Sequence, residues 1–241
     1  MRRLIRDISS VLIISGILLV LDAGATLLWQ EPVTAVIGLV KRSQINDRYL
    51  SYRSAPLPTL DQRALAALPS EQQRIALLAR VEARQIPAGA AIGKITIRKI
   101  DASYTVIQGT DTASLEKGPG HYPSTAFPGL GQTVAIAGHR TTYLAPFKRI
   151  NELVPGDRIV LRMPYATFTY AVQYHRIVAP TALWVIDNVG YERLVLSACN
   201  PLYSAAQRII VFARLLDEQP VGPASAGVSV AGRRRLASSA E

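Results

Sequence analysis

The stretch RLVLSACNPLYSAAQRIIVFARLL, residues 193–216, decides the fold class of this 241-residue chain. It contains two apolar runs, 193–199 and 208–216, which are separated by turn residues that include an Asn-Pro pair. Both runs are apolar at successive positions, as is typical of strands that are buried on both faces. If the two strands pair antiparallel, the end of the first lies opposite the beginning of the second.

Runs of the same kind lie upstream, from about residue 91 onward. They are rich in β-branched residues, are separated by Gly, Pro and Asn, and occupy 92–100, 104–108, 133–137, 158–163 and 167–178. No helical pattern intervenes between them, so the spacing favours a closed or nearly closed barrel over a parallel sheet. We therefore predict an all-β domain over 91–216.

The N-terminal segment 1–30 predicts a membrane-spanning helix. Residues 8–29 carry no charge apart from Asp22, and as one helix of 1.5 Å rise per residue they would span about 33 Å, enough to cross a bilayer. The alternative is a cleavable signal peptide, with arginines before the apolar run and an Ala-Gly-Ala site at 23–25. We favour the uncleaved anchor because hydrophobicity resumes at 26–29. Either interpretation places the following domain outside the cytoplasm.

The segments on either side of the β domain differ from it in composition. Residues 31–90 are interrupted by prolines and rich in Arg, Gln, Ala and Leu, and we interpret them as a stalk with one or two short helices that pack on the domain or stand clear of it. Within it, the Ser-Glu-Gln-Gln sequence at 70–73 has capping-box spacing and predicts the start of a short helix. Residues 217–241 are rich in Pro, Gly, Ala and Ser, and we predict a disordered tail.

The formal net charge of +10 raises the question of an anionic partner. The arginines are scattered, and no basic helix interleaved with aromatic residues is present, so the pattern does not favour nucleic acid. Contact with an anionic membrane or cell-wall polymer fits the charge as well as DNA does, and a plain solvated surface is the explanation that we favour.

A single cysteine, Cys199, is the candidate nucleophile, and one cysteine cannot form an intrachain disulfide. It ends an apolar run just before Asn200, whereas a merely structural cysteine is a small buried hydrophobe. His139 stands where the strand 133–137 opens into a loop, and Arg208 begins the run after Cys199. An ordinary thiol is only a few per cent thiolate at neutral pH, and a nearby imidazolium and guanidinium both favour the thiolate. The three residues therefore point to cysteine chemistry.

Two other histidines have simpler explanations. His175 lies inside the strand 167–178, where a satisfied strand histidine is the expected state. His121 lies in the loop 118–123, where a hydrogen bond that supports the turn explains it as well as a functional role does.

The motifs around these residues resemble those of the sortases, most closely the class E sortases of high-GC Gram-positive bacteria. The matching motifs, in chain order, are GPGHYP at 118–123, AGHRTTY at 137–143, APF at 145–147, PGD at 155–157, LSACNP at 196–201 and SAAQR at 204–208. The resemblance covers about 91–216. It implies an eight-stranded sortase-like β-barrel with short helices, held at the cell membrane by a single N-terminal helix with the catalytic domain outside.

The resemblance also implies a reaction. A sortase cleaves a C-terminal sorting signal of the Leu-Pro-x-Thr-Gly or Leu-Ala-x-Thr-Gly kind between Thr and Gly, and joins the protein to an amine of a cell-wall precursor. Carried over by position, Cys199 forms a thioacyl intermediate, His139 exchanges the protons, and Arg208 stabilises the oxyanion. The implied partners are secreted proteins that carry such signals, the peptidoglycan precursor and the membrane.

The resemblance further implies residues that bind the substrate, and two positions depart from the family pattern. We assign substrate contacts to Tyr143, Ser197, Ala198 and His121, and Tyr143 matches a tyrosine associated with Ala over Pro at the second signal position. Ala198 stands where the family usually has a hydroxyl residue before the cysteine, and Asn200 stands where many relatives have His. We expect no cofactor. We also expect no metal, because Asp111 and Glu116 lack a convincing oxygen-ligand spacing.

Two alternative functions remain open at this stage. A cell-wall L,D-transpeptidase also uses Cys, His and Arg, but it expects a compact Ser-His-Gly-Cys run, whereas this chain has Ser197-Ala198-Cys199. A catalytically altered, sortase-like, membrane-tethered binding module is the other alternative, and Ala198 and Asn200 keep it open. That module predicts a buried, unreactive thiol, whereas the enzyme predicts a thiol that small reagents alkylate readily.

Overall fold

The computed structural model describes residues 2–28, 34, 36–41, 45 and 59–225. Its first helix, α1 (Arg2–Leu28), contains one stretch, Arg6–Ala25, that is long and apolar enough to cross a membrane, with a mean hydropathy of 2.1 and no buried residue. A signal sequence has the same length and composition, so both interpretations of the N-terminus are compatible with α1.

The helices α2 (Thr59–Ala67) and α3 (Glu71–Gln85) lie directly before the barrel in the described part of the chain. The capping signal is confirmed, since the Ser70 side chain accepts a hydrogen bond from the backbone N–H of Gln73 at 3.2 Å. The buried face of α3, with Ile75 and Leu78, packs into the same core as the barrel strands. Of the two arrangements that the sequence left open for the stalk, this helix therefore has the one in which it packs on the barrel domain.

Eight strands form a closed barrel, as the resemblance implied. They are β1 (Ala91–Ile97), β2 (Ala102–Gln108), β3 (Gly120–His121), β4 (Thr133–Ala137), β5 (Arg158–Arg162), β6 (Ala166–Val178), β7 (Arg193–Asn200) and β8 (Gln207–Pro220). Around the barrel their order is β1-β2-β3-β4-β7-β8-β6-β5. A four-residue helix, α4 (Thr112–Leu115), lies between β2 and β3.

The strand β8 is longer than the apolar run that predicted it. It pairs antiparallel with the thirteen-residue β6 as far as Pro220, opposite Ala166. The backbone of β6 supplies hydrogen-bond partners for residues 217–220. The polar side chains of these residues give no indication of a strand. The predicted tail at 217–241 therefore begins too early, and its residues 226–241 lie outside the described part of the chain.

The prediction that β7 is buried on both faces is confirmed. Leu194, Leu196 and Ala198 point into the barrel core. Val195 lies on the outer face in a second cluster with Phe212 and other residues. A single turn of 3-10 helix at Leu183–Ile186, between β6 and β7, covers that outer cluster. Because side chains alternate along a strand, Ser197 and Cys199 belong to the same outer face as Val195.

A buried carboxyl on α3 gives the fold a pH dependence. Glu82 is buried with one oxygen that has no hydrogen-bond partner in the described part of the chain, and burial raises its pKa from 4.5 to about 8. A raised folded-state pKa means that the fold prefers the protonated form. The contribution of Glu82 to the free energy of unfolding is therefore complete below pH 4.5, and it is lost as the pH rises to about 8 and beyond.

We expect Glu82→Gln to raise the melting temperature above pH 8 and to leave it nearly unchanged below pH 4.5. The amide keeps the shape of the side chain without the charge. Each pKa unit is about 1.4 kcal/mol, so the gain in stability at alkaline pH is on the order of 5 kcal/mol. Thermal melts at the two pH extremes measure it, with the exposed Glu71→Gln on the same helix as control. Equal shifts at both extremes contradict the prediction.

Candidate active site

The three predicted catalytic residues converge at one edge of the barrel. β7 and β8 pair antiparallel, as expected, and Cys199 lies directly opposite Arg208. β4 and β7 pair parallel, with Ala137 opposite Ser197, and the N–H of Gly138 donates to the Ser197 carbonyl at 2.9 Å. His139 is the next residue, so it leaves its strand at the level of Cys199.

A small groove runs along the outer face of these strands. Ser197, Arg208 and Ile210 form its floor, and the segment 178–186 and Tyr122 form its walls. A larger cavity of about 480 Å³ lies between the α3–β1 connection and Lys41. None of the three candidate catalytic residues lines that cavity. Arg208 lines the smaller groove, at the edge where it lies opposite Cys199, so we assign the chemistry to that edge.

Cys199 and Arg208 are both partly accessible at this edge. The cysteine is free and half-buried. One guanidinium nitrogen of Arg208, Nη1, donates to the carbonyls of Ala205 and Gln207, both at 2.9 Å. These two bonds hold the guanidinium above the β7–β8 turn, where its other nitrogens can meet a ligand in the groove.

The imidazole of His139 is mostly buried. Its Nε2 has no hydrogen-bond partner in the described part of the chain, and the ring packs against Tyr143 with centroids 5.3 Å apart. Burial lowers the pKa of His139, and the nearby Glu116 carboxylate opposes that shift. An imidazole nitrogen that the fold leaves unpaired can exchange a proton with a bound reactant.

The loop that carries His139 is held from outside the barrel. The Tyr143 hydroxyl donates to Glu116 at 3.1 Å, Glu116 also forms an ion pair with Lys41, and the Tyr143 N–H donates to Thr34 at 3.3 Å. Tyr143 and the two residues after it have positive φ angles of 48°, 66° and 42°. Non-glycine residues adopt this conformation at a cost of about 1 kcal/mol or more each, so the surrounding contacts must maintain it.

The sortase domain family matches residues 95–216, just over half of the chain. The chain belongs to the sortase family. Sortase D of Bacillus subtilis is 34% identical over 130 residues, which are 52% of this chain and 64% of that protein. The structure of sortase E from Streptomyces avermitilis is 36% identical with a TM-score of 0.52, and covers 56% of this chain and 93% of that one.

A further structure, sortase E1 from Streptomyces coelicolor with a tripeptide in its active site, is 28% identical with a TM-score of 0.54 over the same shares of the two chains. These matches confirm the sortase resemblance and the barrel, and they are consistent with a class E-like sortase. The chain spans less than two thirds of the curated relatives that it matches, 64% of sortase D and 42% of sortase E1.

The predicted substrate-binding residues of this sortase occupy different environments. Ser197 lies on the groove floor, whereas Ala198 packs inside the barrel core. His121 is 1% exposed, and its two ring nitrogens bond Gln108 Oε1 at 2.9 Å and the Ala126 carbonyl at 3.0 Å. Burial lowers the pKa of His121 to about 4. These are the bonds of a turn-supporting histidine, and substrate contact by His121 or Ala198 stays a prediction.

Two residues of the site escaped the sequence analysis in this sortase. Tyr122 lines the groove beside the buried His121, although it belongs to the GPGHYP motif that we had matched. Glu116 contacts the loop of His139, although we had considered it only as a metal ligand. A tyrosine in a turn and a glutamate in a surface loop have no local pattern that distinguishes them from solvated residues.

We expect Glu116→Gln to lower the pKa of His139 further. The amide still accepts the Tyr143 hydroxyl, but it no longer opposes the effect of burial on the imidazole. The imidazolium fraction at neutral pH then falls. NMR titration of isotope-labelled histidines measures this, with Glu152→Gln as control because that exposed carboxylate pairs with Arg149 instead. A His139 pKa that stays the same or rises contradicts the prediction.

Proposed function

We propose that this sortase is a membrane-anchored cysteine transpeptidase in which Cys199 is the nucleophile. The observation that carries the proposal is the pairing of Cys199 with Arg208 at the edge where β4 delivers His139. The substrate is a secreted protein with a C-terminal Leu-Pro-x-Thr-Gly or Leu-Ala-x-Thr-Gly signal, and the acceptor is an amine of a cell-wall precursor.

The first half of the reaction breaks the Thr–Gly peptide bond. The Cys199 thiolate attacks the threonine carbonyl carbon, and the negative charge that develops on the carbonyl oxygen is stabilised by Arg208. The C–N bond then breaks as His139 gives its proton to the leaving nitrogen of glycine. A thioester between Cys199 and the threonine carbonyl remains.

The second half transfers the protein to its acceptor. The incoming amine attacks the thioester carbonyl and loses a proton to His139, and the Cys199 thiolate leaves as the new amide bond forms. The imidazolium and the thiolate are thereby restored for the next cycle. We place this chemistry outside the cytoplasmic membrane, with α1 as a single-pass anchor.

The alternative of a non-catalytic, membrane-tethered barrel predicts no thioester. Membership of the sortase family removes the L,D-transpeptidase alternative. The binding-module alternative rests on Ala198 and Asn200, and neither residue supplies a group that the proposed reaction needs.

Mass spectrometry of the full-length protein in detergent tests the proposal. With Leu-Ala-x-Thr-Gly and Leu-Pro-x-Thr-Gly peptides we expect an acyl adduct on Cys199 that an added amine such as triglycine discharges into a transpeptidation product. The ratio of rates for the two peptides also tests the preference that we assign to Tyr143. Binding of either peptide without an adduct or product supports the binding module and overturns the proposal.

We expect Arg208→Ala to lower kcat by about 100-fold to 1,000-fold, the usual loss when an oxyanion donor is removed. Arg208→Lys keeps the charge without the planar fork, so it should recover only part of the rate. Steady-state peptide cleavage measures both variants. Arg214→Ala, on the same strand but stacked on Tyr191, is the control and should match wild type. A kcat unchanged by Arg208→Ala contradicts the assigned role.

A further inference from the structure

Arg140 connects the two strand ends that carry the candidate catalytic residues. Its side chain is buried, with 5% of its surface exposed, and it follows His139 directly in the chain. Its Nη1 donates to the backbone carbonyl of Cys199 at 3.2 Å and to Asn200 Oδ1 at 3.0 Å. Its Nη2 donates to Asn151 Oδ1 at 2.8 Å.

These bonds continue the connection between β4 and β7 after the strand pairing ends. The last backbone bond of that pairing runs from the Gly138 N–H to the Ser197 carbonyl at 2.9 Å. The next bond to β7 comes from the Arg140 side chain, to the carbonyl of Cys199. His139 therefore lies between two bonds to β7, one to the carbonyl of Ser197 and one to the carbonyl of Cys199, which hold its backbone in register with that of the cysteine.

The charge of Arg140 is not neutralised by a carboxylate in the described part of the chain. Its hydrogen-bond partners there are a backbone carbonyl and two amide oxygens, and its Nε has no partner. Burial lowers the pKa of Arg140, and negative charge on Cys199 opposes that shift. A buried cation without an anion is costly. A thiolate at Cys199 is the anion that the site can supply.

We infer that Arg140 is a positioning residue for Cys199 and His139, and that it is also a second cation that stabilises the thiolate. This inference rests on the proposed role of Cys199 as nucleophile. The two arginines then have separate tasks. Arg208, bound to turn carbonyls at the groove, faces the substrate, whereas Arg140 lies behind the cysteine and acts on the sulfur and its strand.

The inference also explains why an asparagine follows the cysteine. Asn200 supplies a neutral acceptor to the Arg140 guanidinium and at the same time donates to Gln207 Oε1 at 3.3 Å. An imidazolium at this position would repel the guanidinium. Asn200 and Arg140 therefore act together in this sortase, because the neutral amide oxygen of Asn200 accepts a hydrogen bond from the Arg140 guanidinium.

Alkylation of the single cysteine provides a readout that a merely structural residue would not change. In full-length protein in detergent, we compare two variants. Arg140→Met removes the charge and the planar set of N–H donors, and Arg140→Lys keeps the charge alone. Arg149→Met is the matched control, since Arg149 lies in the same loop, half exposed, and pairs with Glu152. The measurements are the pH dependence of the iodoacetamide reaction, the ratio of iodoacetate to iodoacetamide rates, and kcat and KM for peptide cleavage.

We expect Arg140→Met to shift the alkylation midpoint to higher pH, to lower the iodoacetate ratio, and to lower kcat about 100-fold with little change in KM. Arg140→Lys should keep the alkylation midpoint near that of wild type and lose kcat only in part. Arg149→Met should match wild type in all measurements. A folded Arg140→Met protein with wild-type alkylation and kcat overturns the inference, and equal alkylation shifts in the Lys and Met variants overturn the role of the charge.

A second variant keeps the test decisive if circular dichroism shows that Arg140→Met does not fold. Asn151→Ala removes one bond of the fork and leaves the charge, so we expect about tenfold lower kcat with an unchanged alkylation midpoint. Wild-type kcat in that variant overturns the positioning role. Turnover that survives Cys199→Ala overturns the proposed function instead, so the two failures are distinguishable.

Discussion

We expect Cys199→Ala to abolish peptide cleavage and to leave the barrel folded. The chain has one cysteine, so no second thiol can replace the lost nucleophile. Losing a nucleophile that acts together with its acid/base partner costs about 10⁴-fold or more in kcat. The side chain is half-buried at the edge of the barrel, so its truncation removes little packing and should leave the melting temperature close to that of wild type.

Product detection by liquid chromatography measures this loss, and a thermal melt of the same sample checks the fold. Cys199→Ser is the graded comparison, because it keeps a weaker nucleophile at the same place. Pretreatment of wild type with iodoacetamide should reproduce the inactivation, and bound signal peptide should slow it. Cleavage by Cys199→Ala above background means that the nucleophile is another group, and a large fall in melting temperature means that the cysteine is structural.

His139→Ala should lower kcat for an amide substrate by about 100-fold to 10,000-fold, the range of general acid–base catalysis. Nε2 of this imidazole is buried and has no partner in the described part of the chain, so none of the described groups occupies its hydrogen-bonding capacity. The leaving glycine nitrogen needs a proton, whereas the sulfur of a thioester substrate leaves without one. We therefore expect a much smaller loss when the scissile amide is replaced by a thioester.

Comparison of the two substrates in one set of steady-state assays tests the role of His139, and added imidazole should restore part of the amide rate. His175→Ala is the control, because this exposed histidine sits within β6 opposite Val211. An equal loss on amide and thioester would assign His139 to positioning instead of proton transfer. Loss of activity in His175→Ala would show that the effect is not specific to the edge where β7 ends.

The sequence was enough to predict the features of this protein that depend on residues close together in the chain. Apolarity over some twenty residues is enough to recognise α1, and the Ser70 capping signal is enough to begin α3. The β-branched runs predicted β1, β2 and β4 to β8, and the short connection between the last two strands placed Cys199 opposite Arg208. These outcomes follow from local periodicity and chain connectivity, which the order of residues carries directly.

Other features of the fold and of the candidate site could be seen only in the tertiary structure. β3 has two residues and is a strand only because β2 and β4 lie on either side of it. No local sequence pattern therefore predicts it. Arg140 is charged, and a charged residue in a loop is expected in solvent until its distant acceptors, Cys199 and Asn200, are known. Burial and hydrogen-bond partners depend on contacts between residues far apart in the chain. For that reason the sequence alone was enough to predict Cys199, His139 and Arg208 as candidate catalytic residues, whereas the fold was needed to find the guanidinium of Arg140.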